Sequence, residues 1–184
     1  SNSAKITLLF SGVMFYQPNI DAALYLIREI MPKIRHKIEL RIVGREPAAA
    51  VIEAAKADDR IIVTGTVQDM VAEYQAADVF IAPMISGAGI QNKILQALSC
   101  GLPVVATSMC VDAFPETPDG VLSGDTADQI ANLVEKLIEN QTDRKQLGGR
   151  GRMFIEKNWS WENRTERLAK MCSDVIDCEN QVIL

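Results

Sequence analysis

Residues 78–107 read DVFIAPMISGAGIQNKILQALSCGLPVVAT, and the order of residue types in them sets the architecture to expect. DVFIAP at 78–83 and PVVAT at 103–107 have the β-branched and aromatic content of strands. Between them lie a glycine-rich loop and a helical pattern over 90–100. Both runs are apolar on nearly every residue rather than on alternate ones, as strands covered on both faces are, and that favours a parallel sheet between layers of helices.

The same alternation extends in both directions. Strands are predicted at ITLLF (6–10), IELRIV (38–43), RIIVTG (60–65) and, more weakly, GVLS (120–123). Helices fit 20–35, 47–57, 69–77 and 127–139. In the first of these, Ala23, Leu26, Ile27, Ile30 and Ile34 form one apolar stripe behind Asn19 as N-cap, and Pro32 bends or ends the helix. In the last, Ile130, Leu133, Val134 and Leu137 share a side. Beyond about residue 142 the pattern is helical only, with a stripe of Trp161, Thr165, Leu168, Cys172 and Val175. Right-handed crossovers then give an α/β chain: a Rossmann-like, doubly wound parallel sheet of about six strands flanked by helices, with a helical C-terminal segment.

Composition narrows the function. The 184 residues are 48% hydrophobic and 23% charged, with net charge −5 and a pI near 5.0. That is ordinary globular composition, and scattered Lys and Arg argue against nucleic acid as a partner. No apolar run approaches the roughly 20 residues of a transmembrane segment, and residues 1–20 lack the pattern of a secretion signal, so a cytoplasmic location is expected. Cys100, Cys110, Cys172 and Cys178 make no CxxC pair and His36 is the only histidine, so no metal site is expected.

In open α/β sheets ligands bind at the carboxyl ends of strands, where PMISGAGIQNK (83–93) stands. Gly87 and Gly89 allow close backbone approach, the following helix start offers free N–H groups to a phosphate, and Lys93 adds a positive charge. The bland alternative is a tight turn followed by a solvated lysine. The loop matches neither GxGxxG nor GxxxxGK[ST], which counts against hydride transfer and nucleotide hydrolysis.

The segment 77–107 resembles the donor-site segment of group 1 (family 4) glycosyltransferases of the GT-B fold. The resemblance extends through LLFSGVMFYQPNIDAALYLIREIMPKI (8–34), IELRIVGREP (38–47), IIVTGTVQDMVAEYQAADV (61–79) and GRMFIEKNWSWE (151–162). It implies a retaining transferase that moves a sugar from a nucleotide diphosphate-sugar to an acceptor in polysaccharide or glycoconjugate synthesis. The donor is a substrate; no cofactor or metal is required. Catalysis in that family lies between two Rossmann-like domains, and this chain resembles the carboxyl-terminal, donor-binding one. Residues 4–160 are then the donor domain, and 161–184 a helix packing towards a missing N-terminal acceptor domain, without which the fragment is inactive. Any peripheral membrane association runs through that missing half.

Carried over by position, the resemblance puts Gly12 near the diphosphate, although a turn glycine explains it equally. Gly65, Thr66 and Val67 cradle the base, while Asp69 reads as a helix cap. Met84 and Ile85 line the same pocket or pack the core. Gly87, Ala88, Gly89 and Ile90 face sugar and phosphates through backbone N–H groups. Two departures stand out. Ala88 and Gln96 occupy the places of two family glutamates; Gln96 offers one acceptor oxygen and two donors, a weaker ribose partner than a carboxylate. Ala88 has no polar group to offer the sugar, and Ser86 is the candidate to supply part of that role. The family's Arg and Lys near the first glycine loop are absent, leaving Lys93 as the main cation, with Arg45 second and favoured as a surface charge. Trp159 and Trp161 read as interface residues rather than a sugar platform, and the 161–176 stripe as an exposed apolar patch or self-association surface. The alternative reading is a non-catalytic nucleotide-sugar-binding or partner-binding domain with a degenerate donor site. The acid–base groups of a nucleotide-sugar epimerase are not recognisable.

Overall fold

The computed structural model describes residues 5–87 and 89–182, excluding the side chains of Arg164, Arg167 and 175–182. In chain order the strands are β1 (Ile6–Ser11), β2 (Ile38–Val43), β3 (Ile61–Gly65), β4 (Val79–Ala82), β5 (Val104–Ala106) and β6 (Val121–Ser123). The helices are α1 (Gln17–Tyr25), α2 (Ala49–Ala55), α3 (Met70–Ala76), α4 (Asn92–Ser99), α5 (Ser108–Asp112), α6 (Ala127–Glu139), α7 (Gln141–Asn158) and α8 (Trp161–Val182). Every strand pairing is parallel, in the order β3-β2-β1-β4-β5-β6. This is the doubly wound order, with its switch point between β1 and β4, where a crevice opens at the carboxyl ends of the strands.

The central strands bear out their near-continuous apolar reading. Leu8, Leu9 and Phe10, all of β4, and all of β5 are buried. The short α5 has no counterpart among the predicted helices.

The first helix departs from expectation at both ends. Asn19 is not its N-cap: Tyr16 is, with no side-chain bond, and Pro18 supplies the first turn with a preset backbone. Asn19 instead lies buried within that turn. Towards its end the helix loosens into a π turn at Leu26–Ile30 and tightens into a 3-10 turn at Met31–Lys33. Pro32, which has no N–H for the Arg28 carbonyl, accounts for the change. The guanidinium of Arg60 donates to the carbonyls of Ile34 (2.8 Å) and Met31 (3.0 Å), and Asp58 holds it there. The apolar stripe still faces inward throughout.

Other caps follow their residues. Asp69 accepts from Val71 N and Ala72 N at the start of α3, and Thr126 with Gln129 forms a capping box on α6. Trp159 packs edge-on to Phe114, centroids 5.7 Å apart, so it belongs to this domain's own core and not to an interface. Trp161, Leu168 and Met171 on α8 are 86%, 62% and 64% exposed, an apolar surface as expected, with Cys172 also exposed; the Val175 side chain lies outside the described residues. Among the described residues no helix is long and apolar enough to cross a membrane.

Candidate functional site

A cavity of about 310 Å³ opens at the carboxyl ends of β1, β2 and β3, beneath the start of α4. Ser11, Gly12 and Val13 line it from β1, Val43, Gly44 and Arg45 from β2, and Thr66 and Val67 from the loop after β3. Met70 and Tyr74 of α3 and Lys93 and Gln96 of α4 complete it. None of these residues is a carboxylate, and two are cations.

Backbone bonds rivet the three loops together: Gly12 N donates to Val43 O, Met14 N to Arg45 O and Gly44 N to Gly65 O, at 3.0–3.1 Å. The approach is so close that a Cβ on Gly44 would stand 1.7 Å from Gly12 O. On Gly12 a Cβ would stand 2.7 Å from the Asn19 amide. Gly12 thus serves close packing, without the positive φ of Gly65, Gly87 and Gly89.

Lys93 Nζ donates to Asn19 Oδ1 at 2.6 Å, lies 3.7 Å from Met84 Sδ and stands 4.8 Å above the Phe10 ring. Desolvation lowers its pKa from 10.5 to about 8, opposed by the nearby Cys110. The Arg45 guanidinium stacks over Phe15 at 5.5 Å. Among the described residues neither cation forms a salt bridge. A half-buried ammonium with no carboxylate beside it costs stability unless an anion joins it.

Opposite the cations runs a polar chain. Ser11 Oγ and Tyr74 Oη are 2.9 Å apart, and Tyr74 donates to Gln96 Oε1 at 3.1 Å. Tyr74 is buried, its ring 5.6 Å from that of Phe80, and burial raises its pKa.

Of the predicted residues, Gly12, Thr66, Val67, Lys93 and Gln96 meet in the cavity, with Gly65 at its edge. Arg45 borders the cavity as well, because the turn after β2 folds over the Gly12 loop, and it is exposed, as expected of a surface charge. Met84 and Ile85 do not line it. Met84 is buried beneath Lys93, its carbonyl accepting from Thr107, and Ile85 is 55% exposed. Ser86, Gly87, Gly89 and Ile90 form the β4–α4 loop outside the cavity lining, and Ala88 lies outside the described residues. Ser86 Oγ is buried with no hydrogen-bond partner among the described residues. Gly44, Tyr74 and Ser11 are cavity residues that the sequence did not single out. For Tyr74 the available signal is that it is the only aromatic, with a polar tip, in the α3 sequence MVAEYQA. Among the described residues no group of His, Cys, Asp or Glu is placed to hold a metal ion.

The profile of the family described as Glycosyl transferases group 1 matches residues 5–140. An uncharacterized glycosyltransferase of Methanocaldococcus jannaschii is 24% identical over 185 residues, covering 94% of this chain and 46% of that protein. A GDP-mannose-dependent monoacylated alpha-(1-6)-phosphatidylinositol monomannoside mannosyltransferase of Corynebacterium glutamicum is 33% identical over 116 residues, 56% of this chain and 29% of that one. Among solved structures, Anabaena HepE in complex with UDP superposes with a TM-score of 0.74 at 12% identity, covering 92% of this chain and 49% of HepE. The chain thus spans about half the length, or less, of the relatives it matches.

Proposed function

The chain belongs to the group 1 glycosyl transferases, and from that premise we propose that it is the donor-binding half of a retaining, nucleotide-sugar-dependent glycosyltransferase. The observation that carries the reading is the carboxylate-free cavity at the doubly wound switch point, which brings Lys93 and Arg45 to one lining. Such a site suits a diphosphate: two cations oppose its charge, and no fixed anion competes. Thr66 and Val67 form the side that takes the base, Gln96 meets the ribose, and the Ser86–Ile90 loop meets the sugar. The acceptor site belongs to the part of the enzyme this chain does not span, so transfer requires both halves. A cytoplasmic enzyme of polysaccharide or glycoconjugate synthesis fits this assignment, and the mannosyltransferase relative makes GDP-mannose the first donor to try.

Calorimetric and thermal titration with GDP, UDP and their sugar conjugates tests the proposal. Ligand at 100 times its Kd adds about 2.7 kcal/mol to stability. Saturable binding of one nucleotide, lost in Lys93→Met, is the expected result. Failure of every nucleotide at millimolar concentration sinks it. The second reading, a degenerate donor site that binds without transfer, is favoured by one observation: Gln96 stands as an uncharged amide whose single acceptor oxygen already takes one bond from Tyr74. Nucleotide binding without sugar transfer by the complete enzyme would select it.

A further inference from the structure

Asn19 is buried behind the cavity, where it holds a residue that lines it. Its Nδ2 donates to Val13 O at 3.0 Å and its Oδ1 accepts from Lys93 Nζ at 2.6 Å. The partners decide the orientation of the amide: a carbonyl only accepts and an ammonium only donates, so a flipped amide would face both with the wrong group. Room for it depends on Gly12, where an added Cβ would fall 2.7–3.0 Å from three of its atoms. One buried side chain therefore ties the β1–α1 turn to α4 across the switch point, where Gly12 and Lys93 border the same cavity.

The chemistry of that tie is selective. An amide oxygen satisfies one N–H of the ammonium but leaves its charge unopposed, whereas an aspartate of the same size would neutralise it. The other near neighbours of Lys93, Phe10 of β1, Met84 after β4 and Cys110 of α5, also leave it cationic. We propose that Asn19 is a positioning residue that fixes the Lys93 ammonium in the cavity wall, with its charge uncompensated, to bind a phosphate-type anion. The inference rests on the donor-site reading for the identity of that anion, a diphosphate.

The test titrates inorganic pyrophosphate, GDP and UDP into the chain and its Asn19→Ala, Asn19→Asp, Lys93→Met and Asn19→Ala/Lys93→Met variants. NMR of labelled lysine follows Lys93 alongside. Asn19→Ala should weaken pyrophosphate binding about tenfold, the scale of a hydrogen bond to a charged group, and should add nothing in the Lys93→Met background. Asn19→Asp, which keeps the volume and so guards against a simple folding defect, should weaken it at least as much and move the Lys93 titration to higher pH. In Asn19→Ala the Lys93 titration should also move, to lower pH, because the ammonium loses its acceptor; a purely structural Asn19 would leave it in place in that variant. Unchanged affinity in Asn19→Asp, or additive losses in the double variant, overturns the inference. Asn19-dependent binding of pyrophosphate with no binding of GDP or UDP sinks the donor-site reading and leaves this inference standing. Nucleotide binding insensitive to Asn19→Asp does the reverse, and no binding of any probe overturns both.

Discussion

The Tyr74 hydroxyl donates to Gln96 Oε1 at 3.1 Å and lies 2.9 Å from Ser11 Oγ. A phenol has one proton; having given it to Gln96, Tyr74 accepts from Ser11. A ligand hydroxyl arriving at Gln96 therefore meets the two N–H donors of its amide and an oxygen with one lone pair left. Gln96→Glu changes this, because a carboxylate adds a negative charge and a second acceptor oxygen. Affinity for GDP or UDP should rise about fivefold to tenfold, the scale of one added charge-assisted hydrogen bond, while pyrophosphate, which has no ribose, should not gain. Calorimetry on both ligands decides; equal losses for both would mean that the new charge only repels.

Lys93 makes stability depend on pH. Its folded pKa is lowered to about 8 from 10.5 by burial. Below about 8 the lysine is protonated in folded and unfolded chains alike, and the folded chain bears the full cost of burying the charge. Between about 8 and 10.5 the folded chain releases the proton first, the unfolded chain holds more protons, and stability rises with pH. Relative to Lys93→Met, the parent chain should gain roughly 1–3 kcal/mol across that window, a range that allows for screening through the open side of the cavity. Urea unfolding of both proteins at pH 7 and pH 10 measures the difference; a flat difference contradicts the buried-cation account.

Two tryptophans separated by one residue should behave oppositely. Trp159 packs on Phe114 and the core, whereas Trp161 is 86% exposed. Trp159→Ala should cost about 3 kcal/mol, and Trp161→Ala less than about 0.5 kcal/mol. Chemical denaturation of the two variants checks this, and similar losses would show that α8 is held down by Trp161.

The strands are legible because their signal lies in their own residues: short β-rich runs place all six within a residue of where they stand, and those apolar throughout are the buried β4 and β5. The start of α1 is not legible in the same way. An asparagine beside a proline suits an N-cap, and only the contact with Lys93, 74 residues away, shows that its amide is engaged elsewhere. The site divides along the same line. Lys93, Gln96, Thr66 and Val67 stand in recognisable segments, but Tyr74, Gly44 and Arg45 acquire their places only when β1, β2 and α3 converge at the switch point. Met84 misleads because an apolar residue at a strand end serves a pocket or a core equally well until the sheet closes over it.

Adjacent glycines in α7 offer a controlled comparison of helix propensity against packing. A Cβ on Gly149 meets nothing within 4 Å, and its backbone is helical. Gly149→Ala should therefore stabilise the chain by about 0.5–1 kcal/mol, through the lost freedom of the unfolded glycine. On Gly148 the same atom would lie 2.0 Å from Gly101 O and 3.2 Å from Pro103 Cδ, in the turn that follows α4. Backbone cannot yield as a side-chain tip does, so Gly148→Ala should push α7 from that turn and cost about 1–3 kcal/mol or more. Because α4 carries Lys93 and Gln96 into the cavity, the displacement should also weaken nucleotide binding, which Gly149→Ala should leave unchanged. Denaturation midpoints and GDP or UDP affinities measured on both variants test the chain of causes; a stable Gly148→Ala with normal binding would break it at its first link.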